Sequence, residues 1–172
     1  MSGSCKKQSV TPQSELSKLP SATQIGANTI GCLVNGQALL PAGNSFSGPI
    51  TQCHYIYTNG GYYFTVQFSN IDNRDLIKTI LIRTQSIAIH QDQTIIFKSS
   101  AIGNADALYA IITSNGDDNK YVTTATVSGQ FVITKLDTLK QIVSGTFNFN
   151  AVNNSNDTVK VTNGRFDMPY TR

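Results

Sequence analysis

Charge is the first thing this sequence is short of. Charged residues make up 13% of the chain, about half the usual share of ~25%, and the formal net charge is only +3. The basic residues are scattered apart from Lys6 and Lys7, so there is no basic stripe with interleaved aromatics and no nucleic-acid partner is expected. No apolar run approaches the ~20 residues that a membrane-spanning helix needs. Met1-Ser2-Gly3-Ser4 likewise contains no apolar core of a signal peptide. Glu, Lys, Arg and Met, the strong helix formers, are scarce, which argues against long helices. Only two histidines occur, His54 and His90, and neither stands in a His-x-x-x-His or Cys-x-x-Cys spacing that would hold zinc. Asn115-Gly116-Asp117-Asp118-Asn119 carries oxygen ligands, yet it lacks the spaced alternation and terminal Glu of a calcium loop. No Gly-x-Ser-x-Gly elbow and no phosphate-binding glycine loop is present. No catalytic residue, metal or cofactor is therefore assigned.

What fills the chain instead is β-forming. Hydrophobic residues are 40% of the total, rich in Val, Ile, Tyr and Phe, with Thr, Ser, Asn, Gln and Gly in the surface role. From Thr29 to Leu40 the residues alternate around Asn35-Gly36, the strongest short hairpin signal because both central positions of a type I′ turn need positive φ. Cys53 to Tyr57, a turn at Asn59-Gly60-Gly61, and Tyr62 to Ser69 follow, with Tyr62, Phe64, Val66 and Phe68 on one face. Leu76 to Thr84 also fits one face of a helix, but its alternation and β-branched content favour a strand. Further strands are expected at Ser86 to His90, Thr94 to Phe97, Leu108 to Thr113, Tyr121 to Thr126, Gly129 to Leu136, Ile142 to Val152, Thr158 to Thr162 and Arg165 to Met168. In Ile142 to Val152, Phe147 and Phe149 face one way and Thr146, Asn148 and Asn150 the other. Roughly ten strands at short spacing without intervening helices predict an all-β fold, an antiparallel β-sandwich or β-barrel. A chain of 172 residues fits one domain of this kind, over 28–172, with residues 1–27 as a polar, flexible tether.

The head of that tether is Cys5-Lys6-Lys7-Gln8, preceded by the small residues Gly3 and Ser4. Cysteine after small residues is where exported bacterial lipoproteins carry their acyl chains, each buried methylene of which contributes roughly 0.8 kcal/mol to membrane binding. Lipid attachment at Cys5 is therefore expected, with the membrane as partner and with the charged and apolar parts of the signal lying upstream of Met1. The alternative is a free thiol in a disordered tail. Export would place Cys32 and Cys53 in an oxidising compartment, where they could close a disulfide if their Cα atoms lie roughly 4.4 to 6.8 Å apart; a reduced, buried Cys32 serving as a small core residue is the other reading. The acids Asp72, Asp75, Asp92, Asp106, Asp117 and Asp118 read as turn residues that bond their own backbone.

Two blocks carry a likeness. Thr134-Lys135-Leu136-Asp137, Val143-Ser144-Gly145-Thr146-Phe147-Asn148-Phe149 and Thr162-Asn163-Gly164-Arg165-Phe166-Asp167, together with Asn28 to Gly36, resemble an uncharacterised family of Bacteroidetes lipoproteins. The resemblance implies export and tethering to the cell envelope, at the outer membrane or cell surface, and implies no catalytic residues. Three functions follow: a noncatalytic binding or accessory module, a carrier of a small apolar or sugar ligand, or a hydrolase with an unrecognised site. An enclosed apolar cavity would favour the carrier, and a cleft with convergent acids or histidines the enzyme.

Overall fold

A computed structural model describes residues 15–45 and 48–172. Its described part is all-β and antiparallel: β1 (Thr29–Val34), β2 (Gln37–Leu39), β3 (Thr51–Thr58), β4 (Gly61–Asn70), β5 (Leu76–Thr84), β6 (Thr94–Ile96), β7 (Ala105–Thr113), β8 (Asn119–Val122), β9 (Gly129–Asp137), β10 (Ile142–Val152) and β11 (Thr158–Pro169). The tight turns are where the sequence puts them. Asn35 (φ 47°) and Gly36 (φ 82°) join β1 to β2, and Asn59 (φ 50°) and Gly60 (φ 77°) join β3 to β4, both as Asn-Gly pairs that adopt positive φ at low steric cost.

The strands form one curled, barrel-like sheet in the order β2-β1-β11-β10-β8-β7-β5-β4-β3, with β9 on β10 and β6 on β9. The open edge of β3 meets the chain just beyond β11: Tyr55 N donates to Thr171 O at 2.8 Å and Thr171 N to Cys53 O at 3.1 Å. Those two bonds cap an edge that would otherwise present unpaired backbone groups.

Inside the curl, Phe64, Phe68, Phe97, Phe131 and Phe147 are almost wholly buried. Phe131 lies 5.3 Å from Phe97 and 6.0 Å from Phe64, centroid to centroid, so the rings form one stack through the interior. Burying each such side chain contributes roughly 1.5–3 kcal/mol. The Val-Ser-Gly-Thr-Phe and Asn-Gly-Arg-Phe segments interlock here. Gly145 faces Phe166 across the ladder and Phe147 faces Gly164, and a Cβ added at Gly164 would lie 2.3 Å from the Phe147 ring. Each glycine leaves the room that the opposite ring fills.

Several expectations change. Ser86 to His90 is a loop, because Ser86 takes a left-handed φ of 60° and the buried Thr84 hydroxyl donates to Ile87 O while accepting Phe64 N–H. Its alternation marks a plug: Ile89 is 1% exposed and packs into the core. The weak strand expected at Tyr121 to Thr126 is shifted to Asn119–Val122, since the Thr123 and Thr124 side chains bond backbone groups and turn the chain. Thr158 to Met168 is one strand rather than two, passing through a bulge at Asn163 (φ 53°) that adds a residue without ending the ladder. Asp106 is not a turn residue but a strand residue of β7, paired with Arg83.

Residues 15–27, expected within the flexible tether, pack on the sheet. Glu15 and Leu19 are buried, and Glu15 Oε2 accepts the Ala38 N–H at 2.9 Å. Further on, the Asp167 carboxylate accepts Thr23 Oγ1–H at 2.6 Å and the N–H groups of Ile25, Gly26 and Ala27 at 3.0, 2.8 and 3.1 Å. Polar composition misleads here because the burial of Leu19 is joined by donors closing on two buried acids, Glu15 and Asp167.

Candidate functional site

Period two puts Cys53, Tyr55 and Tyr57 on one face of β3, and register pairs Tyr57 with Tyr62 and Tyr55 with Phe64 on β4. This is the inward face, and it emerges from the core at the hairpin end. Cys53 and Phe64 are buried, Tyr62 is 41% exposed and Tyr57 is 64% exposed. The tyrosines hold one another in place: Tyr55 stacks on Tyr62 at 5.2 Å, Tyr57 lies 4.8 Å from Tyr62, and Tyr170 meets Tyr55 edge-on at 5.8 Å. Offset and edge-to-face arrangements of this sort suit the ring quadrupoles.

Three further segments complete a cleft of about 650 Å³ that is open to solvent. Ala88, Ile89 and His90 come from the loop after β5, Leu136 from the end of β9 and Thr138 from the turn that follows it, and Tyr170 and Arg172 from the chain after β11. The Ile89 N–H donates to Tyr55 Oη at 3.2 Å, which fixes the loop to the tyrosine wall. Burial pushes the Tyr55 hydroxyl above its ordinary pKa, with the Ile89 bond acting the other way and the nearby Tyr62 and Tyr170 hydroxyls adding to the rise. It therefore stays neutral, an acceptor toward Ile89 with its own proton to donate. The Arg172 guanidinium reaches the Thr138 carbonyl. Among the described residues no Asp or Glu side chain lines the cleft, and His90 is its one histidine.

The expected site residues lie elsewhere. Cys5 falls outside the described residues. Cys32 and Cys53 are free, buried thiols, and burial pushes both thiol pKa values up, the opposite of what a reactive cysteine needs. His54 bonds Thr171 Oγ1 through Nδ1 at 2.6 Å, on a strand apart from His90. Asp72, Asp75 and Asp117 sit in turns where their N–H groups donate to the Oδ1 atoms of Asn70, Asn73 and Asn115, and Asp118 Oδ1 accepts the Thr113 N–H. No group of three His, Cys, Asp or Glu that could hold a metal occurs among the described residues.

Two features escaped the sequence reading. The tyrosine wall was legible in principle, because an inward-facing strand stripe that changes from Phe and Val to Tyr toward a turn leaves the core at that turn. Asp167 had no local signal. It is 1% exposed and also accepts the hydroxyl of Ser144, its cross-strand neighbour, at 2.8 Å. Burial alone would raise its pKa, but the bonds from Thr23, Ser144, Ala27 and Ile25 outweigh burial and hold it at about 2. Asp106, also buried, takes both oxygens to Arg83 Nε at 3.1 Å and accepts Gln85 Nε2–H at 2.9 Å, a structural pair on the outer face.

The family model for a domain of unknown function, DUF6252, matches residues 77–168, from β5 to the end of β11. No curated protein and no solved structure matches the chain. The match spans more than half of the chain, and the chain belongs to the DUF6252 family.

Proposed function

We propose that this member of the DUF6252 family is the noncatalytic binding module of an exported lipoprotein, held at the cell envelope through Cys5 and presenting the tyrosine cleft to a ligand. The cleft carries the reading. It offers broad, mutually braced ring faces and hydroxyls, while its one candidate base, His90, has no side-chain carboxylate in the lining to orient it for acyl or glycosyl transfer. The barrel interior is filled with phenylalanine, which favours a ligand held at the open end over one enclosed as in a carrier. The anchor rests on Gly3-Ser4-Cys5, on Lys6 and Lys7 beside it, and on the likeness to Bacteroidetes lipoproteins. One acyl chain anchors weakly, and stable attachment requires a second chain or basic residues next to the first.

Native mass spectrometry of the protein made in its own host from the natural gene, upstream sequence included, tests both halves. Membrane-associated protein with acyl mass on Cys5 is expected, together with a small-molecule adduct that is lost in a Tyr57→Ala, Tyr62→Ala variant. A Cys5→Ser protein should move to the soluble fraction and keep its fold. Soluble wild-type protein with an unmodified Cys5 thiol refutes the anchor; a ligand-free protein, or an adduct indifferent to both tyrosines, refutes the cleft.

A further inference from the structure

We infer that the tyrosine cleft binds a short oligosaccharide built of pyranose rings, with sugar faces laid on Tyr57 and Tyr62; this rests on the binding-module reading and names its ligand. Shape comes first. Small apolar ligands are held in pockets that bury most of their surface, whereas this cleft of about 650 Å³ stays open, so an apolar occupant would leave much of itself in water. A pyranose has a polar hydroxyl rim around faces of C–H groups and loses nothing by remaining half hydrated.

The lining matches that division. Tyr57 and Tyr62 reach solvent at 64% and 41% exposure, and their rings are tilted by 57° to each other at 4.8 Å, so they present two differently inclined platforms rather than one flat surface. Successive rings of a twisted oligosaccharide chain need such a pair. Tyrosine also loses little side-chain entropy on binding, having two χ angles; Tyr62 is already held by Tyr55, which Tyr170 braces in turn, and Tyr57 leans on Tyr62. Around them stand hydrogen-bonding groups suited to hydroxyls: the Tyr55 hydroxyl, the His90 ring, the Thr138 hydroxyl and the Arg172 guanidinium. The guanidinium is the one strongly basic side chain in the lining and no Asp or Glu stands there, so the cleft accepts neutral sugars and uronates alike.

The chain has no tryptophan and seven tyrosines, four of which line the cleft, so tyrosine emission reports mainly on this site. The 172-residue protein is titrated with cello-, chito-, xylo-, manno- and galacturono-oligosaccharides, following tyrosine emission and, in parallel, heat of binding. Saturable binding of at least one series is expected, weakened about tenfold or more in Tyr57→Ala and in Tyr62→Ala. Tyr63→Ala, on the opposite face of β4, should bind as the wild type does. Galacturonate binding with loss in Arg172→Gln identifies an acidic glycan, and binding of the neutral series alone identifies a neutral one. No saturable binding by any series overturns the inference, as does binding that survives both tyrosine changes or is lost equally in Tyr63→Ala. A sugar failure beside a tyrosine-dependent adduct in native mass spectrometry would refute the ligand class and leave the binding module standing.

Discussion

Replacing Asp167 by Asn should open the attachment of residues 23–27 while leaving the barrel folded. The carboxylate accepts five hydrogen bonds, three at Oδ2 from Thr23, Ile25 and Ala27 and two at Oδ1 from Gly26 and Ser144. An amide keeps one acceptor and turns the other into a donor. Its least costly placement puts nitrogen at the Oδ1 side, where the Ser144 hydroxyl can rotate to accept but the Gly26 N–H is left facing another N–H. One unsatisfied donor and the loss of charge assistance from the remaining bonds amount to about 2–3 kcal/mol. The pH dependence is the sharper test. Asp167 titrates at about 2 in the folded protein against an ordinary value of ~3.9, so its ionised form stabilises the fold above the ordinary value and that stability is lost as pH falls toward 2. The contribution is on the order of 2 kcal/mol. Urea unfolding followed by far-UV circular dichroism should therefore show Asp167→Asn less stable than wild type near neutral pH, with the gap narrowing toward pH ~2 as the wild-type acid is protonated. Trypsin should also cut after Lys18 faster in the variant. An equal deficit at both pH values, or a loss under ~0.5 kcal/mol at neutral pH, would show that the carboxylate does not hold the segment.

Phe147→Ala should cost about 3–5 kcal/mol in urea unfolding, the range for emptying a buried aromatic site; a loss below ~1 kcal/mol would place that face of β10 in solvent. Gly164→Ala should cost about 1–3 kcal/mol, because its methyl meets the Phe147 ring and the ring cannot withdraw from a filled core; partial recovery in a Gly164→Ala, Phe147→Leu double variant would confirm the pairing. Cys32 and Cys53 should resist a thiol reagent in the native protein and react fully in denaturant, since burial raises both thiol pKa values; rapid native labelling of either would contradict its burial.

The strands that alternate cleanly were legible from the residues. Tyr62 to Ser69, Gly129 to Leu136 and Ile142 to Val152 lie where expected, and Phe64, Val66, Phe68, Phe147 and Phe149 are core residues, because a sheet with one buried face prints its register as a period of two. Leu76 to Thr84 could also have formed a helix and is a strand, its long ladders to β4 and β7 deciding what a local pattern leaves balanced. Ser86 to His90 misled because Ile87 and Ile89 imitate alternation, while the left-handed φ of Ser86 that breaks the strand has no glycine or asparagine to announce it. The docking of residues 23–27 depends on Asp167, some 140 positions further on, and no window along the chain contains both partners. Of the tyrosine wall, Tyr55, Tyr57 and Tyr62 lie on one hairpin, and only Tyr170 is gathered from a distant part of the chain by the curl of the sheet.

The Asp167 attachment also sets how the domain would bear a pull. A load entering through the N-terminal segment reaches Glu15 on the Ala38 amide first, then the five-bond carboxylate, and only afterwards the β1–β11 ladder at Thr29. Ile25, Gly26 and Ala27 all donate to the same carboxylate, so these bonds share the force and break together rather than one after another. The two outer contacts then act in series as a mechanical fuse. Tension extends residues 15–27 before it can peel β1 from the sheet.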